Sequence, residues 1–108
     1  MGYEEDFILR LAKRIGAVLA RALGLAKQGN HDESLQVLEQ GVGAELGMPI
    51  AMLLRLDAAS AVRLLGKDKA SQFAAALRTR SILFGMAGRD EDARLSSSQA
   101  DAIDRAIA

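Results

Sequence analysis

Apolar side chains recur along this chain at intervals of three and four, the period of a helix that buries one face. Phe7, Leu11, Ile15, Val18, Ala22 and Leu25 form one stripe, with Ile8 and Leu19 beside it. Glu4, Glu5 and Asp6 precede the run and Lys27 stands near its end, the order of charge that a helix dipole favours. The pattern predicts a long helix over 4–28, stopped at Gly29. Leu35, Leu38, Val42 and Leu46 then predict a second helix to about Gly47, with Asn30 as its cap and Glu33 completing a capping-box pair. Gly41 and Gly43 are expected to fray its end. Pro49 suits the first position of a third helix, through about Leu56. Asp57 is placed to cap a short fourth, Ala58 to Leu65, closed by Gly66. Asp68 would cap a longer fifth, to about Met86, with Ala70, Phe73, Leu77, Ser81 and Phe84 on one face. Gly88 ends it. Asp90, Glu91 and Asp92 open a last helix whose inner face is Ala93, Ser97, Ala100, Ile103 and Ile107.

The stretches "LAKQGNHDESL" and "FGMAGRDEDAR" share one grammar: an apolar end, a Gly, polar residues, then a new periodic run. Laying Gly29 on Gly88, an offset of 59, sets Ala22 on Ser81, Leu25 on Phe84, Ser34 on Ala93 and Gly41 on Ala100. Small residues meet small ones, as two helices that cross closely require. The reading is all-α, five to six helices in a single domain over 1–108. One hairpin spans 4–47, a short-helix insert 49–66, and a second hairpin 68–107. This pattern resembles the tetratricopeptide class of helical hairpins, with Arg21 and Arg80 where that class prefers Leu. Two hairpins fall short of the three repeats such arrays usually need, so they must close on each other or on another chain.

The run "YEEDFILRLAKRIGAVLARALGLAKQGNHDESLQVLEQGV", with "ELGMP" after it, is also similar to a family of small uncharacterised bacterial proteins. The similarity covers most of the chain and is most specific over 3–47. It implies a tetratricopeptide-like fold and no activity.

The first helix has more apolar surface than one core contact needs. Ala12, Gly16, Ala20 and Gly24 follow at spacings of four, with Leu9 and Leu23 among them, and Arg10, Arg14 and Arg21 fill what remains. Three arrangements would use that surplus: a central helix with two intramolecular neighbours, a homodimer seam, or a groove for a partner segment. In the tetratricopeptide resemblance the groove-lining positions are Leu19, Leu23 and Lys27 in the first hairpin and Arg78, Ile82 and Met86 in the second. Ile82 falls off the Phe73, Leu77, Phe84 face and needs a partner of some kind.

Composition narrows the function without naming it. Half the residues are apolar, 20 of the 108 are Ala and only 4% are aromatic, so the core must pack through small side chains. Fourteen cations balance fourteen anions, which gives no surplus for nucleic acid. There is no Cys, so thiolate metal sites and disulfides are excluded. The acidic start and the lack of a long apolar run lead to an expected cytoplasmic location. Asp6 stands where N-myristoylation after Met1–Gly2 wants Ser or Thr. The glycines of "GVGAELG" close a helix rather than open one, which is wrong for a dinucleotide loop. His31, Asp32 and Glu33 are adjacent and diverge, so they suit a helix start better than a metal. In "SSSQAD", Ser97 is expected to face inward and Ser96 and Ser98 outward, and no Ser has a histidine base. No enzyme activity, cofactor or small-molecule substrate is expected. The expected partner is a protein or a second copy; a membrane surface is the alternative, through the Arg-striped first helix.

Overall fold

The computed structural model describes the backbone of residues 2–108 and the side chains of residues 5–108, so Glu4 of the acidic helix start and the Met1–Gly2 end lie outside the described side chains. Every element among the described residues is a helix: α1 (Gly2–Lys27), α2 (His31–Leu46), α3 (Ile50–Leu53), α4 (Ala58–Leu65), α5 (Lys67–Met86) and α6 (Asp90–Ile107). None of them is long and apolar enough to cross a membrane.

The two glycine turns are the same structure. Gly29 and Gly88 adopt φ of 85° and 76°, a region that side chains with a Cβ avoid. Asn30 N–H donates to the Leu25 carbonyl at 2.9 Å, and Arg89 N–H to that of Phe84 at 2.8 Å. Gly29 donates to Ala26 and Gly88 to Gly85, both at 3.0 Å. These are paired Schellman closures, which satisfy the last carbonyls of α1 and α5. Asn30 and Arg89 thereby close one helix and open the next. That double duty holds Asn30 at φ −87°, ψ 66°, and its side chain makes no cap hydrogen bond to α2. The expected capping box with Glu33 does not form.

Each hairpin is also pinned once across its crossing. The Ser34 hydroxyl donates to the Ala22 carbonyl at 2.6 Å, and the Ser81 hydroxyl to the Ala93 carbonyl at 2.6 Å. At the offset of 59, Ser34 corresponds to Ala93 and Ala22 to Ser81. The same bond joins the same two positions, with the hydroxyl moved to the opposite helix.

Gly41 and Gly43 prove to be contact residues, not sources of fraying. A Cβ on Gly41 would lie 2.6 Å from Val18 Cγ1, and one on Gly43 would lie 3.3 Å from the Met48 carbonyl oxygen. α2 runs on to Leu46 and closes at Gly47, at φ 87°. Pro49 precedes α3 as its cap, and α3 ends at Leu53, earlier than expected. Arg55 and Leu56 continue as a tight turn through N–H bonds to Met52 and Leu53. The short fourth helix matches its expected bounds, and Asp57 caps it by accepting from Ser60 N–H at 2.8 Å. The expected Asp68 cap is displaced: Gly66, at φ 83°, both ends α4 and precedes α5, which leaves Asp68 exposed in the first turn.

α5 is the central helix, packed against α6, α1, α2 and α4. Phe73, Ala74, Ala76, Leu77, Leu83 and Phe84 are all buried along it, on more than one side. α1 packs against α2 and α5 and keeps one side open. The core is continuous through Ile15, Leu38, Val42, Leu53, Leu77 and Ile103, with Ala22, Ala61, Ala70 and Ala100 where helices come closest. On α6 the expected Ala100 and Ile103 are buried and Ala93 and Ile107 pack against the core, but Ser96 is fully buried where Ser97 was expected, and Ser97 only partly.

Candidate functional site

The open side of α1 is built from small and cationic residues. Arg10, Lys13, Arg14, Gly16, Ala17, Ala20, Arg21 and Lys27 are exposed there. A Cβ added at Gly16 or Gly24 would meet nothing within 4 Å. No carboxylate occurs between Phe7 and Asn30. Among the described residues none of the five cations is in an ion pair; the salt bridges belong to Arg78, Arg80 and Arg89. Within the described residues, then, the α1 surface is unneutralised positive charge at helical spacing.

The six residues expected to line a groove divide into three groups. Lys27, Ile82 and Met86 are solvent-facing, with Ile82 53% and Met86 39% exposed. Leu19 and Leu23 are half-buried and pack against the core. Arg78 is held by α6: its guanidinium bridges to Asp101 at 3.1 Å and to Asp104. Its hydrogen bonds to the Asp104 carboxylate, and then to that of Asp101, raise its pKa above the ordinary arginine value. α1 and α5 pack directly on one another, so the two sets occupy neighbouring helices.

The most elaborate polar cluster surrounds Arg80. Its Nε and terminal nitrogen both donate to one Glu39 oxygen at 2.9 Å, and its other terminal nitrogen donates to Ser96 Oγ at 3.1 Å. The guanidinium stacks on the Phe84 ring, 4.7 Å from its centre, and Arg89 stacks on the same ring at 4.6 Å. Arg89 is paired in turn with Asp92 at 2.8 Å. An open cleft of about 350 Å³ runs beside this cluster, between α2 and α5, lined by Leu35, Gln36, Glu39 and Phe84 among others. Each of the three Arg80 nitrogens is engaged by a neighbouring side chain. It ties α2, α5 and α6 together, which is the physical reason an arginine stands where a leucine was the expectation. The recurrence of Arg at 21 and 80 was the available signal; the bonds could not be read from it.

The remaining candidates for chemistry stay apart. His31 opens α2 half-buried, with Asp32 and Glu33 exposed beside it, and its Nδ1 is buried with no hydrogen-bond partner among the described residues. No group of three His, Asp or Glu side chains among the described residues could hold a metal ion. An apolar recess of about 170 Å³ lies between the α3–α4 segment and the α5–α6 pair, lined by Leu53, Phe73, Leu77, Gln99 and Ile103 among others. Gln99 Oε1 is buried and unpaired among the described residues, closed even to a water-sized contact. No protein-family model matches the chain, and no curated protein or solved structure matches it.

Proposed function

We propose that the chain is a non-catalytic protein-interaction or self-assembly module, working in the cytoplasm without a cofactor, on a tetratricopeptide-like pair of hairpins. The repeated Schellman turn, the repeated Ser crossing bond and the contact of α1 with α5 support that description of the fold. The resemblance of residues 3–47 to a small bacterial family points the same way. The single observation that carries the functional reading is the pair Ile82 and Met86, two large apolar side chains left open on the most buried helix of the molecule. Apolar surface that a fold leaves uncovered suits a protein partner.

Light scattering after size exclusion tests this on the native chain and on Ile82→Asp with Met86→Asp. Both positions are exposed, so the double variant is expected to keep its fold by circular dichroism. A native dimer that becomes a folded monomer assigns the face to self-assembly. A native monomer is then used as bait, with the variant as control, and partners lost with the variant identify the face. Loss of folding in the variant would make both residues core and remove the basis of the reading.

The five unpaired cations of α1, with Phe7 and Leu9 exposed near its start, favour a second reading: contact with an anionic membrane surface. Liposome co-sedimentation across a salt series separates the two, because only the second requires salt-sensitive binding to anionic vesicles.

A further inference from the structure

The internal repeat shows what is missing from α1. At the offset of 59, Ala17, Arg21 and Leu25 of α1 correspond to Ala76, Arg80 and Phe84 of α5. On α5 these residues dock the second hairpin onto the first. Ala76 and Phe84 are 0% and 5% exposed, and Arg80 accepts a neighbouring helix by pairing with Glu39 at 2.9 Å. On α1 the same register is open: Ala17 and Arg21 are exposed and Leu25 is half-buried. Arg10 and Arg14 extend this face toward the N-terminus at helical spacing, also exposed and outside any described ion pair. α1 therefore repeats the docking face of α5, with its arginine, and among the described residues none covers Ala17 or Arg21.

We propose that this face receives an acidic amphipathic helix of another protein, one that sets a carboxylate against Arg21 and an apolar side chain beside Leu25. The chemistry is copied from α2, which presents Glu39 to Arg80 and Leu35 to the adjoining cleft. The row of unpaired arginines extends the requirement to further carboxylates on the partner. Open space at Gly24 lets the visiting backbone approach closely.

Other occupants fit less well. A second copy would have to offer α6, the counterpart of α2. There, Ser98 stands in place of Glu39 and Arg94 in place of Leu35, so in that register the position facing Arg21 holds no carboxylate and the one beside Leu25 holds no apolar side chain. A symmetric pairing of α1 with itself would set arginines against arginines. A membrane needs a continuous apolar face to insert, and most of that of α1 (Leu11, Ile15, Ala22 and Ala26) is buried in the core, leaving only Phe7 and Leu9 exposed at the end away from Arg21. This proposal rests on the chain being an interaction module but uses a different face from Ile82 and Met86, so each can fail alone.

The test uses the full chain and a labelled peptide of the α2 sequence, residues 31–46, with Gly41→Ala and Gly43→Ala to raise its helicity. Fluorescence anisotropy is expected to show saturable binding below about 1 mM, weakened up to about tenfold by Arg21→Glu in the chain. Glu39→Lys in the peptide should restore binding to the Arg21→Glu chain and weaken it for the native one. Leu64→Asp, at an exposed position on α4, should leave binding unchanged. Arg21 is exposed, so circular dichroism is expected to show the variant folded. Absence of saturation, or binding indifferent to Arg21→Glu, overturns the proposal. Self-association of the chain that Arg21→Glu abolishes assigns the face to a second copy instead. Arg21-dependent binding to phosphatidylserine vesicles, with none to the peptide, assigns it to membrane.

Discussion

Single residues in this molecule carry opposite consequences for the same substitution. Ala in place of Gly normally stabilises a helix interior by up to about 1 kcal/mol. At Gly24 and Gly16, where a Cβ meets nothing within 4 Å, that gain should appear in full in urea unfolding. At Gly41 the new Cβ would sit 2.6 Å from Val18 Cγ1 and 2.9 Å from Cγ2, against a β-branched side chain with little freedom to move. Overpacking then wins, and Gly41→Ala should destabilise by about 1–3 kcal/mol, with Val18→Ala recovering part of the loss. Asp57 gives a prediction in pH. Its hydrogen bonds from Ser60 N–H, then the Ser60 hydroxyl, hold its pKa below the ordinary carboxylate value. A lowered folded pKa means the cap stabilises α4 fully above the unfolded value of about 3.9 and loses that effect as pH falls through the folded one. Carboxyl NMR should place Asp57 below the ordinary carboxylate value, and Asp57→Asn should keep the cap while removing its acid dependence.

Among the elements, the two hairpins show how one local design is reached by two sequences. The turn requires a glycine at the left-handed position and an apolar residue four positions before it, and both copies have them. The crossing requires two small residues and one hydroxyl, and either helix can supply the hydroxyl. Ser34 is fully buried, so Ser34→Ala should cost about 1 kcal/mol, the net value of an internal hydrogen bond. Ser81 is only half-buried, and Ser81→Ala should cost less. Equal losses in chemical denaturation would show that the two crossing bonds are energetically alike despite their difference in burial. The short elements were legible where a capping side chain acts alone, as at Asp57. They were misread where one residue serves two helices, as at Asn30 and Gly66, because a backbone conformation shared by two termini leaves no freedom for the side chain to cap.

For the whole molecule, the decisive feature is the place of α5 at the centre. Both hairpins meet along it, and Arg80 bridges from it to Glu39 on α2 and Ser96 on α6. Arg80→Leu would leave the Ser96 hydroxyl buried without its donor and free Glu39, whose side chain is 41% exposed, to water. The expected loss is about 1–3 kcal/mol, read as a lower midpoint in urea with cooperativity retained. Arg80→Lys should not restore it, since a point charge cannot reach two partners and cover a ring together. An unchanged midpoint would mean that apolar packing alone joins the hairpins.

The sequence by itself determined the helical class, the two hairpin turns at Gly29 and Gly88, and the bounds of the fourth helix. Those features depend on local periodicity, on φ at a glycine and on capping within three residues, all of which are written in neighbouring positions. The surplus apolar surface of the first helix was legible too, as a quantity without a destination. Only the tertiary structure decided that α5 rather than α1 is central, that Ser96 rather than Ser97 turns inward, and that Gly41 is a contact. It also decided that Arg78 and Arg80 are occupied while Arg21 stands open. Those outcomes depend on which helix covers which face. Covering is a property of segments far apart in the chain, and a period of 3.6 marks a face for burial without saying what will bury it.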